Sequence, residues 1–135
     1  MGQKIISFVN AWSGEKFVWG QTDCAMLTLR FLDYMYDWHL FEYYEDSYKN
    51  EADAEYFSVY STDMRQILIS AGFTDMPVGF EKQGDILLCA KNPGVYNSHI
   101  DLGDSVFSSH PDHGLRIYPK RGLKNYEVLR CPAPH

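Results

Sequence analysis

The residues best suited to chemistry in this sequence are Cys24, His99 and His110, because a thiol, an imidazole base and a group that orients the base make an acyl-transfer unit. Cys24 follows Thr22 and Asp23, either of which is a good N-cap for a helix. A helix N-terminus favours the reactive thiolate through its unpaired N–H groups and its dipole. Cys24 also falls on the apolar side of that helix, with Leu27, Thr28, Phe31, Leu32 and Met35, where a thiol commonly serves as packing. Both readings stand at this point.

The base is sought among His39, His99, His110, His113 and His135. His135 is terminal. His39 lies beyond the far end of the helix begun by Cys24, roughly 22 Å away at the usual rise per residue. His99 is placed differently. It opens a strand-like run, Ser98-His99-Ile100-Asp101-Leu102, and a base on a rigid strand facing a helix N-terminus gives a workable Cys–His pair. The next run, Ser105-Val106-Phe107-Ser108-Ser109-His110, returns beside it through the hairpin signal Gly103-Asp104. Ser108 and His110 share one face of that strand by the period of two, so either can orient His99, and Asp101 is a third choice by the same parity. His110 and His113 also read as parts of a solvated turn around Pro111-Asp112. A His-x-x-His spacing invites zinc, but no second paired motif accompanies it, so no metal or other cofactor is expected.

The elements that position these groups follow from periodicity. A first helix over Lys4 to Trp12 carries Ile5, Phe8, Val9 and Trp12 on one face and stops at Gly14. The Cys24 helix ends near Asp37-Trp38-His39. The stretch Phe41 to Tyr60 is acidic and rich in Tyr, too aromatic for disorder, and reads as a surface insertion holding a short helix. Ser61 or Thr62 caps a third helix with Met64, Ile67, Leu68 and Ala71, closed by Gly72. After Pro77 short strands take over: Gly84 to Cys89, Tyr96 to Leu102, Ser105 to Ser109, Leu115 to Tyr118 and Tyr126 to Arg130. Helices first and strands after imply an α+β fold in one domain over residues 1–135, with an antiparallel sheet of about five strands.

Two sequence blocks resemble the NlpC-type cysteine peptidases, a papain-like family that cuts peptidoglycan stem peptides. The first is Phe17-Val18-Trp19-Gly20 followed by Asp23-Cys24, similar to the family's aromatic approach to its nucleophile helix. The second runs from Gly84-Asp85-Ile86-Leu87-Leu88 through Ser98-His99-Ile100-Asp101-Leu102-Gly103-Asp104 to Phe107, similar to the family's Gly-Asp strand, His strand and following aromatic strand. The resemblance implies Cys24 as nucleophile, His99 as base and acid, and His110 or Ser108 as the group holding the imidazole. It implies oxyanion and substrate roles around the Cys24 N–H, Phe17 and Trp19, with Asp23 capping the helix and receiving a substrate amine. Phe17 stands where the family usually has Tyr, whose hydroxyl assists the oxyanion, and loss of one such donor costs on the order of 10²–10³ in rate. Ala25-Met26 replace the family's usual Ser-Gly.

Small members of this type without a signal peptide resemble tail-tip and tail-assembly proteins of tailed bacteriophages. The start of this chain has no apolar signal region, so synthesis in a host cytoplasm followed by delivery in a virion tail is the expectation. The expected partners are a peptidoglycan peptide and tail-tip or hub proteins, the latter through the Phe41 to Tyr60 insertion. The alternative is a catalytically weak structural tail protein that keeps the peptidase fold. A net charge of −6 argues against unspecific nucleic-acid binding, and no run is long and apolar enough for a membrane span. The odd count of three Cys is no disulfide framework, and Cys89 and Cys131 read as packing thiols.

Overall fold

The computed structural model describes residues 2–132, and His135 lies outside them. The helices come first: α1 (Gly2–Trp12), α2 (Cys24–Tyr36), α3 (Phe41–Tyr44), α4 (Glu51–Tyr60) and α5 (Met64–Ser70). Six strands follow: β1 (Thr74–Met76), β2 (Ile86–Asn92), β3 (Val95–Asp101), β4 (Ser105–His110), β5 (Gly114–Pro119) and β6 (Tyr126–Arg130). They form one antiparallel sheet in the order β1-β6-β2-β3-β4-β5, so the α+β expectation holds. The sheet gains β1, a strand of three residues pairing with β6, which is too short for periodicity to reveal. None of the helices described is long and apolar enough to cross a membrane.

Helix α2 is the centre of the core. Met26, Leu27, Leu29, Phe31, Leu32 and Met35 are buried, and they meet Ile5, Phe8 and Val9 of α1 and Ile86, Leu88, Ile100, Phe107 and Leu129 of the sheet. Burial of a large aliphatic or aromatic side chain is worth about 1.5–3 kcal/mol, so this layer fixes how α2 lies on the sheet. Leu87, Val106 and Val128 alternate to the opposite face, where Tyr118, Leu123 and Tyr126 cover them.

Helix ends differ from the sequence reading in one instructive place. Asp63, rather than Ser61 or Thr62, caps α5: its carboxylate accepts the Gln66 N–H at 2.8 Å, and the Gln66 side chain answers with the reciprocal capping-box contact. The insertion contains two helices instead of one, and neither buries a residue completely.

The decisive local feature is the short ladder between β3 and β4. Only Ile100↔Phe107 and Asp101↔Val106 pair, although β3 begins at Val95 and β4 runs on to His110. Beyond those pairs, hydroxyls of the two strands bind carbonyls at the start of α2 and in the loop before it. Ser98 Oγ of β3 donates to the Cys24 carbonyl at 2.9 Å, and Ser109 Oγ of β4 donates to the Thr22 carbonyl at 2.5 Å. The N-terminus of α2 is thereby held at the mouth where the two strands part.

Candidate active site

A cavity of about 570 Å³ opens at this mouth, and Cys24, His99, Ser108 and His110 all line it. Its other walls include Phe17, Trp19, Asp23 and Tyr48, with Glu51, Ala54 and Glu55 from α4. The structure therefore brings Cys24, His99, Ser108 and His110 to one cavity, carried by a helix start and two adjacent strands.

The loop leading to Cys24 is fixed from inside. Thr22 Oγ1 donates to the Lys16 carbonyl at 2.7 Å and accepts the Val18 N–H at 2.8 Å, which folds residues 16–22 back on themselves. Thr28 Oγ1 donates to the Cys24 carbonyl at 2.9 Å and lies 2.8 Å from Ser98 Oγ, so the first turn of α2 is tied to β3. At the site Phe17 meets Trp19 edge-on, with ring centroids 4.7 Å apart.

The electrostatics depart from the expectation of an activated thiolate. Burial, and after it the adjacent Asp23 carboxylate, push the Cys24 thiol up to about 11, over a smaller opposing pull from Ser98 and the Ala25 N–H. Burial likewise depresses His99, to about 4. The pair at rest is a neutral thiol and a neutral imidazole. His99 Nδ1 is buried without a hydrogen-bond partner among the described residues, and no hydrogen bond links His99 to Cys24 there. An orphaned imidazole nitrogen costs about 1–3 kcal/mol, and groups left so in native structures concentrate at functional sites.

His110 does not orient His99. Its Nδ1 accepts the Asp112 N–H at 3.1 Å, its ring stacks on His113 at 4.9 Å, and its side chain is exposed. The physical reason is the turn chemistry of Pro111-Asp112, which captures the end of β4. Ser108 is better placed. It is buried, lines the same cavity as His99, and follows Phe107, whose partner Ile100 follows His99. Asp101 is committed elsewhere: wholly buried, it receives Lys120 Nζ at 2.7 and 2.9 Å on its two oxygens.

Asp23 is the N-cap residue of α2 by backbone geometry, but its side chain makes no cap hydrogen bond. This corrects the capping role expected of it. The carboxylate accepts the Gly20 N–H on Oδ1 at 2.8 Å and the Tyr48 hydroxyl on Oδ2 at 2.6 Å. Burial holds its pKa above the ordinary carboxylate value despite these donors.

Tyr48 was not legible as a site residue. It belongs to the insertion, more than twenty positions from the Cys24 motif, and nothing in the tyrosine-rich stretch distinguishes it from Tyr43, Tyr56 and Tyr60, which are exposed. Gly20 carries the one local signal. Its φ is +80°, and a Cβ there would collide with the Tyr48 carbonyl oxygen. The Asp46 N–H donates to the Gly20 carbonyl at 3.0 Å, and Gln21 Nε2 donates to Asp46 Oδ1 at 2.9 Å. The insertion is thus fastened onto the approach to Cys24.

Cys89 and Cys131 are half-buried and free, and neither lines this cavity. The chain belongs to the DUF6950 family, a domain of unknown function, which matches residues 2–126. No curated protein matches it.

Proposed function

We propose that the protein is a cysteine amidase or endopeptidase acting through an acyl-enzyme, with Cys24 as nucleophile and His99 as base. The observation that carries this reading is the meeting of a helix-start cysteine and a strand histidine in one cavity, with the histidine nitrogen buried and unpartnered. The Cys24 sulfur attacks an amide carbonyl carbon while His99 takes the thiol proton. The carbonyl oxygen becomes an oxyanion facing the N–H groups at the start of α2. The C–N bond then breaks, His99 returns the proton to the leaving amine, and water hydrolyses the thioester to a carboxylic acid. Because thiol and imidazole are both neutral at rest, proton transfer accompanies attack rather than preceding it.

The resemblance to NlpC-type peptidases supports peptidoglycan stem peptides as substrate and a tail-tip location in a phage virion. The test is cleavage of purified peptidoglycan and of synthetic stem peptides by the wild type and by Cys24→Ala. Cleavage abolished by that substitution is expected. Cleavage that persists in Cys24→Ala ends the assignment.

A second reading, a structural tail protein retaining the peptidase fold, is favoured by one observation: the Cys24 thiol is held protonated and has no hydrogen bond to His99. Wild-type protein inert toward peptidoglycan, yet incorporated into tails, supports that reading over the first.

A further inference from the structure

We propose that Tyr48, delivered by the insertion, is a positioning residue of the Cys24 centre that acts through Asp23. This rests on the reading of Cys24 as the reacting group. Three observations converge on it. The Tyr48 hydroxyl donates to Asp23 Oδ2 at 2.6 Å, short for a neutral donor, while Tyr48 itself is buried. The other oxygen of Asp23 is held by Gly20, the residue whose missing Cβ lets the Tyr48 backbone approach. Asp23, at the N-cap position, makes no side-chain cap hydrogen bond, although Asp is among the residues most favoured for capping.

The consequence concerns charge. Drawn toward Gly20 and Tyr48, the carboxylate makes no side-chain cap hydrogen bond at the start of α2. The same two donors favour its ionised form, one residue from the thiol, where its charge opposes thiolate formation. Besides tyrosines, the titratable groups around the cavity are Asp23, His99 and His110, with Glu51 and Glu55 of α4 and Lys91 of β2. Lys91 bridges both glutamates, at 3.5 and 3.0 Å, so Asp23 is the carboxylate at the thiol without a cationic partner among the described residues. Ring packing of Tyr48 against Trp19 and Phe57 would survive loss of the hydroxyl, which makes the hydroxyl separable from the fold.

The experiment is a double-mutant cycle on the pH dependence of Cys24 alkylation by iodoacetamide, in a Cys89→Ser, Cys131→Ser background so that one thiol reports. Tyr48→Phe takes a donor from the Asp23 carboxylate and leaves its charge less shared beside the thiol, so the alkylation midpoint moves to higher pH and the rate at pH 8 falls at least threefold. Asp23→Asn removes the charge and moves the midpoint to lower pH, and adding Tyr48→Phe to it gives no further shift. A Tyr48→Phe profile that superimposes on its parent overturns the proposal. So does an equal shift in the Asp23→Asn background, since Tyr48 would then act independently of Asp23. The cycle needs no substrate. Absence of amide hydrolysis by the wild type would remove the proposed activity and leave the Tyr48–Asp23 coupling to be decided by alkylation alone.

Discussion

Two ends of the molecule bury carboxylates in opposite ways. At the end of the sheet where β2 begins and β3 finishes, each buried acid meets a cation. Asp85 takes Arg130 through both oxygens, at 3.0 and 2.8 Å, and Asp101 takes Lys120. Backbone N–H groups of Lys82 and Gly103 complete the two sets. At the start of α2, Asp23 is equally buried but has only neutral donors, Gly20 N–H and Tyr48 O–H. Beside it His99 has an orphaned nitrogen. Carboxylate charge is compensated by a cation at the scaffold end and left without one beside Cys24, the pattern that perturbed groups at functional sites show.

The largest effect that sharpens this contrast is on turnover. His99→Gln is expected to lower kcat/KM for a cleaved peptide by about 10³ or more, with thermal stability at neutral pH close to wild type, because one neutral polar side chain replaces another. Loss of stability without loss of turnover would reverse the assignment of the two ends.

Gly20→Ala comes next. A residue with a Cβ at φ +80°, colliding with the Tyr48 carbonyl, should cost about 3 kcal/mol in denaturant unfolding. Beside Cys24 the insertion is fastened by backbone approach rather than by an ion pair, so this position should matter more to stability than the Asp23 charge. At the scaffold end, Asp85→Ala strands Arg130, which is about a quarter exposed, and should cost about 2 kcal/mol. A loss below 0.5 kcal/mol would show that the ion-paired end is no more constrained than the cavity.

The pH dependence separates the ends further. The folded-state pKa of His99 lies near 4, below its ordinary 6.5. The unfolded chain therefore binds the extra proton between these values, and stability falls as pH drops from about 6.5 to about 4. The contribution is full above that window and bounded by about 3 kcal/mol, lessened by residual solvent access. Equilibrium unfolding of wild type and His99→Gln should diverge over this window, and parallel curves would count against a buried neutral imidazole.

The difference between the ends also governs what the sequence revealed. The Cys24 helix, the Gly103-Asp104 hairpin and the His99 strand were legible because each depends on local rules: caps, turn residues and a period of two. Strand β6 matched the run Tyr126 to Arg130 in full. Tyr48 depends on a contact between distant segments that no local pattern encodes, and its selection among ten tyrosines is made only by packing against Gly20. His110 illustrates the converse: correct parity put it on the right face, but the turn that follows β4 takes its ring nitrogen. Asp23 was recognised at the right position and given the wrong hydrogen bonds, because a capping preference is outweighed by a buried phenol within reach.

The smallest effect tests the contrast most directly. Asp23→Asn should change stability at pH 7 by less than about 1 kcal/mol, and in the stabilising direction, whereas Asp85→Asn should destabilise. The side-chain carbonyl of Asn can still accept the Gly20 N–H, and its amide can donate to the Tyr48 oxygen, so the neutral donors are not stranded. What disappears is the cost of an ionised group in a buried place. Burial raises the folded-state pKa of Asp23 above 3.8, so the folded protein binds the extra proton in the interval above that value. Stability attributable to this group therefore falls as pH rises through the interval, and the advantage of Asp23→Asn should be present at pH 7 and vanish as pH approaches 3.8. Asp85→Asn should show no such advantage at pH 7, because removal of its charge leaves Arg130 without its bidentate partner. Equal destabilisation by the two substitutions would mean that the carboxylate beside Cys24 is as much a scaffold element as the acids at the far end of the sheet.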